Sequence, residues 1–136
     1  MSDDAENSAH EKFFFTLTGN LAARGLVTRV TGLCDELGVR HHYTHTGGGD
    51  LRVEADRRSP APFKRNVITM TWRARKGYFS CQSLLSVAEC INLGMPANSV
   101  RTNNGVLSSC LNVQPGLHAE VFLAVVEASI RRFRER

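Results

Sequence analysis

Strict alternation in the middle of this chain constrains its fold more than any other feature. Ile68, Met70, Trp72 and Ala74 alternate with Thr69, Thr71 and Arg73, and after Arg75-Lys76-Gly77 the apolar side resumes at Phe79 and Cys81. A period of two sends successive side chains to opposite sides of an extended strand. The segment therefore reads as a β-hairpin with an apolar face that must be covered and a polar face turned to solvent. The same period returns at Leu51, Val53 and Ala55, set against Arg52, Glu54 and Asp56. With Val39 to Thr46 before it and Gly47-Gly48-Gly49 as the turn, this makes a first hairpin upstream.

Helical spacing supplies the cover. Between Asn20 and Leu37 the residues Leu26, Val30, Leu33 and Leu37 share one helix face, and Gly38 stands where a C-cap belongs. Gly25 and Gly32 work against that helix, each costing about 1 kcal/mol relative to Ala. Leu84, Leu85, Val87, Ala88, Ile91 and Leu93 form a short helix that is apolar nearly all round and is expected to be buried, ending at Gly94 before Pro96. Val100 to Thr102 and Val106 to Val113 flank Asn103-Asn104-Gly105. Asn-Gly favours a type I′ hairpin turn because both central residues need positive φ. After Gln114-Pro115-Gly116, the residues Leu117, Val121, Ala124, Val125 and Ala128 trace one face of a last helix, widened by Phe122, Val126 and Phe133.

The order is helix, four strands, helix, two strands, helix. It predicts an α+β domain, an antiparallel β-sheet of hairpins packed against two or three helices. Residues 1–11 are polar and acidic and read as a disordered tail, with 12–136 as a single domain; Phe13 to Thr18 suits either a strand or the start of a helix. Residues 57–66, with Pro60 and Pro62, read as a surface connection.

At 136 residues the chain is long enough to bury a core without staples, and 42% hydrophobic with 22% charged residues is ordinary for a soluble protein. Its four cysteines, Cys34, Cys81, Cys90 and Cys110, show neither a C-x-x-C pair nor zinc spacing. Cys81, Cys90 and Cys110 lie among apolar residues and are expected as buried thiols. No signal peptide and no apolar run of about 20 residues is legible, so the expectation is a cytoplasmic protein away from membranes. A net charge of +4 favours acidic partners, protein or nucleic acid, without demanding either.

From Ser83 onward the helix "SLLSVAECINLG" is followed by "VRTNNGVLSSCLNV", "QPGL" and the long final helix. This part of the chain resembles the type III secretion chaperone-like fold, including the YbjN group. Members carry an Asn-Leu-bearing helix, a strand, a turn, a strand and a Gly-Leu entry to the last helix; Asn92-Leu93 and Gly116-Leu117 stand at comparable places. Such chaperones are usually acidic, whereas this chain is basic. The resemblance implies a bacterial, non-enzymatic protein that dimerises and binds a segment of a partner chain.

Few constellations suggest chemistry. His41, His42 and His45 with Asp50 are the obvious metal candidates, but His41 and His45 lie about 13 Å apart along a strand, and the plain reading is a set of hairpin histidines. Asp50, Glu54 and Asp56 share a strand face, as carboxylates do in some metal-dependent nucleases, yet no Lys follows at the spacing such sites use; Arg52 reads instead as their ion-pair partner. The triple glycine lies between strands, where no helix N-terminus follows to hold a phosphate. Ser108, Ser109, Cys110 and His118 match no nucleophile motif. No catalytic residue, metal or cofactor is assigned.

Two binding surfaces remain. The stripe of the last helix, with Leu117, Val121, Phe122 and Val125, either packs on the sheet or meets a partner polypeptide or a second copy. The leading expectation is therefore a non-enzymatic protein-binding module that forms a homodimer. The alternative is a small nucleic-acid-binding protein that uses the basic hairpin of residues 63–79. There Lys64, Arg65, Arg73, Arg75 and Lys76 would contact phosphates while Tyr78 stacks on a base. Arg131, Arg132, Arg134 and Arg136 complement the dipole of the last helix without needing a ligand.

Overall fold

A computed structural model describes residues 3–44, 49–54, 66–105 and 107–134. In chain order these form α1 (Asp3–Thr16), α2 (Leu21–Leu37), β1 (Arg40–Thr44), β2 (Asp50–Glu54), β3 (Asn66–Arg73), β4 (Tyr78–Ser83), α3 (Val87–Asn92), a single 3-10 turn (Ala97–Ser99), β5 (Val100–Thr102), β6 (Ser109–Val113) and α4 (Ala119–Arg134). The strands make one six-stranded antiparallel sheet in the order β1-β2-β3-β4-β6-β5. The α+β architecture expected from the alternation is present.

Register explains which face is covered. Tyr43, Leu51, Met70, Cys81, Leu111 and Val100 lie opposite one another across all six strands, and each is buried. The helices pack on this side. Phe13 of α1 meets the Tyr43 ring at 5.6 Å, Ser129 of α4 lies 3.0 Å from Ser83 of β4, and Cys90 of α3 lies 3.5 Å from Ser109 of β6. On the other side, Thr69, Thr71, Ser80, Gln82 and Asn112 are half-exposed and Arg101 is exposed.

Several helix boundaries follow from capping. The Asn20 side chain accepts the Ala23 N–H at 2.9 Å to start α2, and Gly38 at φ +70° closes it by donating to Cys34 and Asp35 carbonyls. A capping box between Ser86 and Glu89 starts α3. It leaves Leu84 and Leu85 in the preceding turn, two residues outside the helix expected there.

Further expectations need correction. Residues 3–11, read as a disordered tail, belong to helix α1; Ala9, Phe13 and Leu17, spaced four apart, are all buried and anchor it. Of the two readings left open for Phe13 to Thr18, helix is the one found over Phe13 to Thr16. The Asn104-Gly105 pair does not form a two-residue turn. Thr102 pairs with Ser109 and the Asn103 N–H donates to the Ser108 carbonyl, so the connection is longer, and Gly105 has no positive φ. Finally, α3 is not enclosed: Ile91 and Leu93 remain 38% and 39% exposed.

Candidate functional site

The last helix supplies the first candidate surface, and its residues divide. Phe122 and Val125 are fully buried beneath α4, so the two are core and unavailable to a partner in this fold. Leu117 lies before the first turn of α4 and is 71% exposed, while Val121 is half-buried. The division follows from helix geometry: 122, 125, 126, 129 and 130 make the buried face, and 117 and 121 lie at its margin.

Helix α3 extends that margin. Gly94, at φ +117°, backs onto α4 so closely that a Cβ there would come within 3.3 Å of Val121 Cγ2. The end of α3 thus lies near the start of α4, and Glu89 meets Arg132 near the end of α4. Between them is a cleft of about 360 Å³, lined by Leu85, Leu93 and Ala128 together with Glu89, Asn92, Arg131 and Arg132. Both terminal nitrogens of the Arg132 guanidinium donate to the Glu89 carboxylate, Nη1 to Oε1 at 3.1 Å and Nη2 to Oε2, and Oε1 also accepts the Ser86 N–H at 3.1 Å. One carboxylate thus caps α3 and ties it to α4. Arg131 reaches Glu127 at 3.6 Å and is largely exposed. Sequence reading did not anticipate this strip, although the Ser86-x-x-Glu89 spacing was a visible sign of where α3 begins.

The second candidate is the open face of the sheet. Arg73, Arg75 and Lys76 are exposed around the β3–β4 turn, where Gly77 at φ +76° donates to the Arg73 carbonyl at 2.8 Å. Tyr78 pairs in register with Arg73, which puts both on the uncovered side, while Trp72 packs on Phe79 across the covered one at 4.8 Å between ring centroids. Lys64 and Arg65 lie outside the described residues. Charge is unevenly placed along the chain: residues 38–118 carry ten Lys and Arg against four Asp and Glu, whereas residues 1–37 carry three against six.

The remaining candidates do not converge. His41 shares the covered face with Tyr43, its ring 6.2 Å away, whereas His42 points to the open face, 3.6 Å from Glu54. His45 and Asp56 lie outside the described residues. Glu54 is also 3.4 Å from Arg40, and Asp50 is engaged by Arg52 at 3.6 Å and by the Thr71 hydroxyl at 2.7 Å. Among the described residues no group of three His, Cys, Asp or Glu is placed to hold a metal. His118 Nδ1 accepts the Gln114 N–H at 3.1 Å, and Ser109 is engaged by Cys90. All four cysteines are free thiols; Cys110 is only half-buried because it pairs with Gln82 and Arg101 on the open face, which corrects its expected place in the core.

No helix among the described residues is long and apolar enough to cross a membrane. No protein-family model matches the chain, and no curated protein or solved structure proves similar to it.

Proposed function

We propose that this chain is a non-enzymatic binding module of the cytoplasm, a homodimer that seats a segment of a partner polypeptide along the α3–α4 strip. Its secretion chaperone-like, YbjN-type character over residues 83–136 is part of the proposal. The carrying observation is the apolar surface left in solvent on the helical side: Leu117 and Leu93 are exposed, Val121 is half-buried beside Gly94, and the cleft is lined by Leu85, Leu93 and Ala128. Exposed apolar residues gathered beside a cleft mark contact surfaces more often than residues scattered singly. Arg131 at the end of the strip favours a segment that combines apolar and acidic side chains.

A specific observation favours a second reading. The helices cover one side of the sheet, and the other side presents Arg73, Arg101 and Tyr78 beside the exposed Arg75 and Lys76. A single-stranded nucleic acid laid across it would meet cations for its phosphates and one ring for stacking. The same face, however, also carries Asp50 and Glu54, which engage Arg52, Arg40 and His42, with Thr, Ser, Gln and Asn between, and Tyr78 is its single Phe, Tyr or Trp among the described residues. This reading therefore stands second.

Affinity capture from lysate of the source organism separates the two. Under the first reading, a defined protein partner survives nuclease treatment, is lost with Leu93→Arg, and persists with Arg73→Glu/Arg75→Glu. A bound set that collapses with nuclease and with the hairpin reversals, while tolerating Leu93→Arg, would replace the first reading by the second.

A further inference from the structure

The homodimer in the proposed function requires a self-complementary surface, and the exposed face of α2 has the chemistry for one. Ala23, Leu26, Val27, Val30 and Cys34 turn inward, which leaves Leu21, Gly25, Thr28 and Gly32 along the outer face. Leu21 is 85% exposed, the most exposed large hydrophobic side chain among the described residues. Beside this line lie Arg24 near the start of the helix and Asp35 near its end, both exposed.

We propose that this face docks against α2 of a second copy, antiparallel about a twofold axis. Charge placement selects both the occupant and the direction. A twofold axis midway between positions 24 and 35 sets each Arg24 opposite the copy's Asp35, whereas a parallel pairing would bring like charges level. The midpoint of Gly25 and Gly32 falls within one residue of the same axis, about 1.5 Å along the helix. One operation therefore satisfies the charges and brings the two glycine positions together across the contact.

The glycines otherwise lack a local purpose. A Cβ on either residue 25 or residue 32 would meet nothing within 4 Å, so nothing in the monomer requires their small size. Each costs the isolated helix about 1 kcal/mol relative to Ala. Close approach of another backbone is the use to which glycine is suited. Arg29 takes no part in the charge argument, because Glu120 already holds it at 2.7 Å. The Arg24 guanidinium lies 5.8 Å from the Phe14 ring centroid, a contact that leaves its donors able to reach a carboxylate.

This inference rests on the homodimer part of the proposed function, and the measurement is the solution mass of the full chain by sedimentation equilibrium over a range of concentrations. The wild type should approach twice its 15.1 kDa chain mass. Asp35→Arg should weaken the dimer about tenfold, and Arg24→Asp/Asp35→Arg should restore it, since two symmetry-related pairs change sign together. Gly25→Leu/Gly32→Leu should be monomeric with an unchanged circular dichroism spectrum and a melting temperature no lower than wild type. A dimer indifferent to all three variants would overturn the α2 interface and leave the homodimer intact. A wild-type chain monomeric at every concentration would overturn both. A foreign polypeptide lost on Gly25→Leu/Gly32→Leu would assign the face to another occupant and overturn self-pairing.

Discussion

Cys34, Cys81 and Cys90 are sealed inside the fold, and burial raises the pKa of each thiol, that of Cys34 up to about 12. An unfolded thiol ionises near 9, so between 9 and 12 the unfolded chain releases a proton at Cys34 that the folded chain keeps. Stability should therefore fall as pH rises above 9, with no contribution from this thiol below it. Urea denaturation of the wild type and Cys34→Ala from pH 8 to 10.5 checks the sign: the wild type should lose stability more steeply, and parallel profiles would contradict it. Single residues also show where sequence reading fell short. Ser83, Ser109 and Ser129 are fully buried. They are tolerated because they bond internally: the Ser129 hydroxyl donates to the Val125 carbonyl at 2.7 Å, and Ser83 accepts the Leu85 N–H at 3.0 Å. A satisfied serine looks like a surface residue in a hydropathy pattern. Ser129 at the centre of the inner face of α4 is one reason Leu117 and Val121 read as that centre when they are its edge.

At the scale of elements, helix α4 has two sides that mutagenesis should separate. Phe122→Ala opens a void in a fully buried site and should cost about 3–5 kcal/mol. Leu117→Ala removes a side chain that is 71% exposed and should change stability by no more than about 0.5 kcal/mol. Urea denaturation of the two variants measures both, and equal losses would contradict the assignment of core and margin. Strands were legible because their period of two reports directly which side is covered, and Gly38 marked the end of α2. Helix α1 was not legible. Its N-terminal half is polar, and what holds it is tertiary: Ala9, Phe13 and Leu17 against the sheet, with His10 and Phe14 around Tyr43 at 4.7 and 6.1 Å. The Asn104-Gly105 signal failed for a related reason. Asn103 Nδ2 donates to the Leu107 carbonyl at 2.8 Å and the Ser108 N–H donates to Ser83, so the longer loop is held by contacts that local propensity does not contain.

For the whole molecule, one-sided packing decides what is available for binding. Covering the sheet with α1, α2, α3 and α4 leaves a polar, cation-bearing face on one side and exposed apolar residues on the helical side. The sequence made the cationic hairpin visible because Arg73, Arg75 and Lys76 are close neighbours in the chain. The α3–α4 strip was hidden, since Leu93 and Ala128, far apart in the chain, line one cleft only when α3 packs beside α4. The most direct test places a photo-crosslinking amino acid at position 93 in one variant and at position 80, on the open face, in another. Both are irradiated in nuclease-treated lysate, and the adducts are identified by mass spectrometry. The account predicts a discrete protein adduct from position 93 and none from position 80. An adduct from position 80 with none from position 93, or silence at both, would contradict it.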